Sequence, residues 1–311
     1  MPSRAERIEG GLVGLLVGDA LGVPYEFHSP GQIPAEDQIE FEPPQGFPRA
    51  HRGVPPGTWS DDGAQALCLL ASLLDRGRYD QDDLGRRLLD WYRQGYLAVD
   101  GKVFDVGVQT SRALAALQDG VPAGEAGPRE EHDNGNGSLM RVLPLALWHR
   151  GSDFDLVVDA YAQSQVTHGH PRSQVCCALY CLWARRTLEG AETPWVEAVA
   201  SLRALKPRGR SEFFDELETV IRPDEAPQGR GSGYVVDCLH SARLAVEAGG
   251  YEQVVRAAIR LGHDTDTTAC VAGGIAGVRD GLGAIPERWR AGLLGREMFE
   301  PLLRELVARS V

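Results

Sequence analysis

Two short segments concentrate oxygen ligands just before apolar stretches with helical spacing. Gly57-Thr58-Trp59-Ser60-Asp61-Asp62-Gly63 precedes Ala64 to Leu74, and Gly262-His263-Asp264-Thr265-Asp266-Thr267-Thr268 precedes the small-residue run Ala269 to Val278. Taken singly, each reads as a helix N-terminus, where Ser60 or Asp61 and Asp266 or Thr267 would cap free amides and complement the helix dipole. Capping, however, uses one side chain per helix end. Four aspartates with several hydroxyls, if folded together, would repel one another unless a cation neutralised them. Oxygen-only donors suit a hard divalent ion, Mg²⁺ first and Mn²⁺ as the alternative, and no His/Cys set with zinc spacing competes.

Three further segments carry chemistry. Asn134-Gly135-Asn136-Gly137-Ser138-Leu139-Met140-Arg141 is a glycine-rich turn opening a predicted helix, a form that can cradle phosphate with backbone N–H groups. Thr167-His168-Gly169-His170-Pro171 joins two predicted helices, and its histidines could face a ligand or only solvent. Phe104-Asp105-Val106-Gly107 sets an aspartate between apolar residues, either lining a site or capping the helix that follows.

The elements that must position these residues are helical. Apolar residues recur at helix spacing in Leu84 to Tyr92, Arg112 to Leu117, Leu139 to Trp148, Gln174 to Leu188, Glu212 to Ile221, Tyr234 to Ala248, Glu252 to Leu261 and Met298 to Ala308. Strand-like alternation is scarce, so the pattern predicts an all-α fold of about a dozen helices. In the first of them, Gly10, Gly14, Gly18 and Gly22 share one face, a device for close backbone packing. Two loops rich in Pro and Gly, Ser29 to Gly57 and Pro223 to Gly233, interrupt the helices. Helical character resumes on both sides of each. They are therefore expected to be functional loops of one domain spanning residues 1–311.

Composition narrows the function classes. The net charge of −12 opposes general nucleic-acid or anionic-membrane binding, which needs a basic surface. Six cysteines, scattered through apolar stretches with no paired CxxC, read as reduced core thiols. The apolar run from Gly10 to Val23 contains Asp19 and falls short of a bilayer span, so the expected compartment is the cytoplasm.

In order along the chain, these motifs resemble those of the ADP-ribosylglycohydrolase family. GLLVGDALGVPYEF (residues 14–27), GTWSDDG, FDVG, GNGSLMRVLPLAL, THGHP, GYVVDCL (residues 233–239) and GHDTDTTACVAGGIAG together span about residues 8 to 285. The resemblance implies a compact orthogonal multi-helix domain with a two-metal cleft. It implies metal ligands at Ser60, Asp61, Asp62, Asp264, Asp266 and Thr267. It also implies catalytic roles for Glu26, Asp61, Asp105 and Asp266, and substrate contacts from Asn136, Gly137, Ser138, Met140, His168 and Tyr234. The chain departs from the family pattern at Gly63 (threonine in TDDT), Val108 (asparagine in DVGN) and His263 (usually glycine). These changes point to an altered acceptor pocket.

The reaction so implied is metal-dependent hydrolysis of the bond between ADP-ribose and its acceptor, first an arginine on a protein. Serine-linked ADP-ribose, O-acetyl-ADP-ribose and ADP-ribosylated nucleic acid are the alternative substrates. A non-catalytic ADP-ribose-binding protein and a binuclear-metal pyrophosphohydrolase are the alternative classes. The sequence does not choose between Glu26 and Asp105 as general acid or base.

Overall fold

The computed structural model describes residues 1–205 and 211–310, and the described residues carry fifteen α-helices. These are α1 Arg4–Gly22, α2 Asp61–Arg76, α3 Gln81–Gln94, α4 Val108–Gln118, α5 Ala123–Ala126, α6 Leu143–Trp148, α7 Asp153–Gln165 and α8 Pro171–Glu189. There follow α9 Pro194–Ala204, α10 Ser211–Asp215, α11 Val235–Val246, α12 Tyr251–Arg260, α13 Thr265–Asp280, α14 Glu287–Gly292 and α15 Arg296–Ala308. The fold is all-α, as the periodicity predicts. One antiparallel bridge, Gly135 with Tyr234, is the β-type pairing among the described residues.

Local signals account for the ends of the site-bearing helices. Ser3 and Glu6 form a capping box at the start of α1, Ser60 caps α2, and Pro171 opens α8 where its missing N–H costs nothing. Left-handed Gly77 and Gly190 close α2 and α8. Two predicted helices differ from the pattern. Leu139 to Trp148 is helical only from Leu143, with Pro144 in its first turn, and this leaves residues 138–141 as turns. Glu212 to Ile221 splits into α10 and a π-helical turn, Glu216–Ile221, whose Glu216 pairs with Arg172 at 2.7 Å.

The most extensive helix contact is α1 against α13. Gly10, Gly14, Gly18 and Gly22 face Gly277, Gly273, Ala269 and Asp266 in turn, backbone against backbone. A methyl group at Gly14 would lie 2.6 Å from the Gly273 carbonyl oxygen, and methyls at Gly10, Gly18 or Gly22 would overlap the α13 side still more closely. The glycine face is thus a seam that carries the first turn of α13 to the end of α1. By length and composition the helix Arg4–Tyr25 could cross a membrane, but 94% of its apolar window is covered inside the fold. One hydrophobic cluster runs from Ile8 to Leu306 around this seam, and all six cysteines lie buried as free thiols.

Candidate active site

The seam brings the two aspartate clusters together at the N-termini of α2 and α13. Asp61, Asp62 and Asp266 are buried, and the Thr267 hydroxyl donates to Asp62 Oδ1 across the clusters at 3.3 Å. Asp264 is held by the Asn136 side-chain amide, which donates to its Oδ2 at 2.8 Å. Carboxylate oxygens of Glu26, Asp264 and Asp266 lie within 4.8 Å of one another.

Asp19, read from the sequence only as an interruption of an apolar run, positions the first cluster. Wholly buried on α1, it accepts from the Ser60 backbone N–H at 2.9 Å and the Gly63 N–H at 2.8 Å, which ties the start of α2 to the seam. The same packing explains Gly63, since a Cβ there would stand 2.8 Å from both Leu16 and the Trp59 ring. A threonine would not fit at this position.

Burial and mutual repulsion hold these carboxyls toward their protonated forms. For Asp61, Asp62 and Asp266 burial is the largest cause, followed by the neighbouring carboxylates, and all three are pushed well above the usual range. Burial raises Asp19 to about 7. Glu26 rises to about 10 and Asp105 to about 6, through burial first and neighbouring aspartates second. Two oxygens, Asp62 Oδ2 and Asp266 Oδ2, are buried with no hydrogen-bond partner among the described residues. Unsatisfied buried carboxylate oxygens are costly, and they are what a divalent cation would satisfy. The residues therefore fit a hard metal ion.

A cavity of about 340 Å³ opens beside the cluster, lined by Glu26, Asp61, Asp62, Asp105, Asp264 and Thr267 on one side. Val106 to Thr110, Gly135 to Gly137, Met140, Gly233 and His168 form the other. Gly137 is close enough to His168 that a Cβ would stand 2.8 Å from the imidazole Cε1. Burial and the nearby Arg141 depress His168 to about 3, so it is neutral, with Nδ1 bonded to the Thr167 hydroxyl at 2.8 Å. Not every candidate faces the cavity. The Ser138 hydroxyl is buried against Ser164 (2.9 Å) and Cys177, and its carbonyl accepts from the Gln163 side-chain amide at 3.1 Å. Ser60 caps α2, its hydroxyl accepting from the Asp62 N–H at 3.3 Å with one of its two lone pairs. Tyr234 sits at the start of α11, beyond the lining, half-exposed with the Arg172 guanidinium 6.0 Å from its ring centre.

His51 has no counterpart among the residues singled out from sequence. It sits in the first Pro/Gly-rich loop with left-handed backbone (φ 47°), its ring between Phe27 and Phe104. Its Nε2 is 2.5 Å from Glu26 Oε2 and 3.8 Å from Asp105 Oδ1, bridging the two candidate acid–base groups. Burial lowers its basicity. No periodicity marks this loop, so nothing in the sequence distinguishes His51 from the other histidines. The second loop contributes backbone: the Gly231 carbonyl accepts from the Asp264 N–H at 2.9 Å, and the Gly233 carbonyl from the Asn136 N–H at 3.0 Å.

The family description ADP-ribosylglycohydrolase matches residues 1–311. The chain belongs to the ADP-ribosylglycohydrolase family. It is 31% identical over 307 residues to the ADP-ribosylarginine hydrolase Tri1 of Pseudomonas putida (strain GB-1), covering 98% of this chain and 79% of that protein. It is 28% identical over 295 residues to the ADP-ribosyl-[dinitrogen reductase] glycohydrolase of Rhodospirillum rubrum, covering 93% of this chain and 90% of that one. A solved ADP-ribosylglycohydrolase-related protein superposes with a TM-score of 0.79 at 34% identity, with both chains fully covered. This family member is an enzyme, an ADP-ribosyl glycohydrolase.

Proposed function

We propose that the chain, acting as one domain, removes ADP-ribose from arginine side chains of proteins, using divalent cations held by Asp61, Asp62, Asp264, Asp266 and Thr267. The observation that carries this reading is the pair of unpartnered oxygens, Asp62 Oδ2 and Asp266 Oδ2, beside a cavity lined by Gly135 to Gly137. The likeness to a hydrolase named for ADP-ribosylarginine supports the acceptor. Magnesium, or manganese in its place, supplies positive charge and Lewis acidity at the carboxylates.

The chain's own residues supply the rest. The loop at Gly135 to Met140 receives the diphosphate, and neutral His168 lines the same wall without adding charge. Without metal, burial and neighbouring aspartates raise Glu26 to about 10 and Asp105 to about 6, so Asp105 is the first of the two to ionise. Two carboxyls separated in this way divide the work of acid and base. Asp105 takes a proton from the attacking water while Glu26 gives one to the departing guanidine nitrogen. The C1″–N bond breaks and a C1″–O bond forms. Positive charge developing on the ribose is stabilised by the surrounding carboxylates.

Incubation with arginine-ADP-ribosylated protein and Mg²⁺, with products identified by mass, tests the reading. Free ADP-ribose is expected. Release of AMP would instead make the enzyme a pyrophosphohydrolase, and turnover confined to serine-linked, acetyl-ester or nucleic-acid conjugates would reassign the acceptor.

A further inference from the structure

A second cavity, about 650 Å³ and more open, lies across Glu26, Gly233 and Asp264 from the first, and these three residues line both. Its other walls are Phe27, His263 and Arg230, together with Ser232. Phe27 is a phenyl ring 70% exposed beside a carboxylate cluster, where an apolar side chain gains nothing by facing water. It is held there deliberately. Phe27 (φ 64°) and His263 (φ 61°) both adopt the left-handed region that side-chain-bearing residues avoid. They are clasped by paired backbone bonds, the Phe27 N–H donating to the His263 carbonyl at 2.7 Å and the His263 N–H to the His28 carbonyl at 2.6 Å. The His51 ring lies against Phe27 with centroids 5.5 Å apart. Strain of this kind at a site persists where the surrounding structure over-determines it.

The walls are chemically uneven. Glu26 and Asp264, shared with the first cavity, supply carboxyl oxygens, and Phe27 and Arg230 line the remainder. A planar guanidinium entering this cavity meets carboxyl oxygens of Glu26 and Asp264 as hydrogen-bond acceptors for its N–H groups and the face of Phe27 for a cation–π contact. An anionic diphosphate has the opposite preference and has its glycine loop in the first cavity. The two cavities therefore divide what lies on either side of the scissile bond. We propose that the second cavity is the acceptor subsite and that Phe27 is the plate on which the guanidinium of the modified arginine rests. This rests on the arginine-linked reading above.

The test compares wild type with Phe27→Leu, Phe27→Ala and Phe27→Tyr on two substrates, free ADP-ribosyl-arginine and O-acetyl-ADP-ribose, alongside an arginine-modified protein. ADP-ribose affinity by calorimetry and thermal melting control for folding. The Leu and Ala variants are expected to lose about tenfold in kcat/KM on ADP-ribosyl-arginine, mainly through KM, and to lose arginine-over-ester selectivity by the same factor. Tyr should restore the value to within about threefold, because it keeps the aromatic face. Leucine matching wild type on ADP-ribosyl-arginine would overturn the plate, as would a loss seen with the modified protein but not with the small substrate. Wild type failing to release ADP-ribose from arginine at all would instead overturn the functional reading beneath it.

Discussion

Arg141 and the carboxylates at Asp62 and Asp266 are all buried, and one side chain, Gln65, touches both regions. Its amide donates to Asp61 Oδ2 at 2.8 Å, and its carbonyl accepts from Arg141 at 3.0 Å. Beyond that link they are opposites. Arg141 spends its donors on neutral acceptors: Gln163 Oε1 (3.1 Å), the Gln163 carbonyl (2.8 Å), Gln65, and a longer bond to the Gly137 carbonyl. The aspartates are left with oxygens that nothing among the described residues satisfies. Even so, burial lowers Arg141 only to about 10, and it keeps its charge at neutral pH. A buried charge completed by the protein is architecture, and one left incomplete is a receptor for something the protein does not make.

The largest effect that should expose this contrast comes from Asp61→Ala or Asp266→Ala. Turnover in Mg²⁺ should fall about 10³-fold, the scale of losing an electrostatic stabiliser at the reacting centre. Melting in chelator should show no loss of stability, and a marked fall in Tm there would merge the two regions into one structural role. Arg141→Met should do the reverse. Leaving Gln65 and Gln163 acceptors unpaired costs about 3 kcal/mol, which for a chain of this length lowers Tm by about 5 °C. Activity per folded molecule should stay within about tenfold of wild type.

The titrations sharpen the comparison further. Asp19 and Asp105 have folded-state values raised to about 7 and about 6, against about 4 in an unfolded chain. Each binds more protons folded than unfolded, so its contribution is intact below about pH 4 and is lost as pH rises through the folded value. Tm of the chelated protein should therefore fall between pH 5 and pH 8. Added Mg²⁺ at a hundred times its Kd should return about 2.7 kcal/mol, or about 4 °C, with a larger gain at pH 8 than at pH 5. A gain that is flat across pH would detach the metal from these carboxyls. Smallest is His51→Ala, expected to lower kcat about tenfold by freeing Glu26 and Asp105 from their shared partner. His51→Gln should recover part of it, which steady-state kinetics on the arginine-linked substrate would read.

Much of this contrast was legible in the sequence, but only one half at a time. The two SDD and DTDT segments were readable as carboxylates at helix starts because N-cap chemistry is local. Their meeting was not, because it depends on which helix the glycine face of α1 receives, and spacing by four names a face without naming its partner. Ser138 illustrates the limit from the other side. The family resemblance implied a substrate contact there, while the tertiary neighbours Ser164 and Cys177 claim its hydroxyl. Asp19 and His51 were hidden for different reasons, one inside an apolar helix and the other in a loop without periodicity.

The seam between α1 and α13 also sets an order of events during synthesis. Roughly 240 residues separate Gly22 from Thr265. At ribosomal speeds, a helix apolar enough to pass for a membrane span therefore waits on the order of 10 to 50 s before its mate has been made. Until then neither half of the acidic centre has its other half, so no nascent fragment can capture metal at a finished site. The same interval is when α1 most needs a chaperone's cover, and a chain cut short before α13 would leave the ribosome with that face bare.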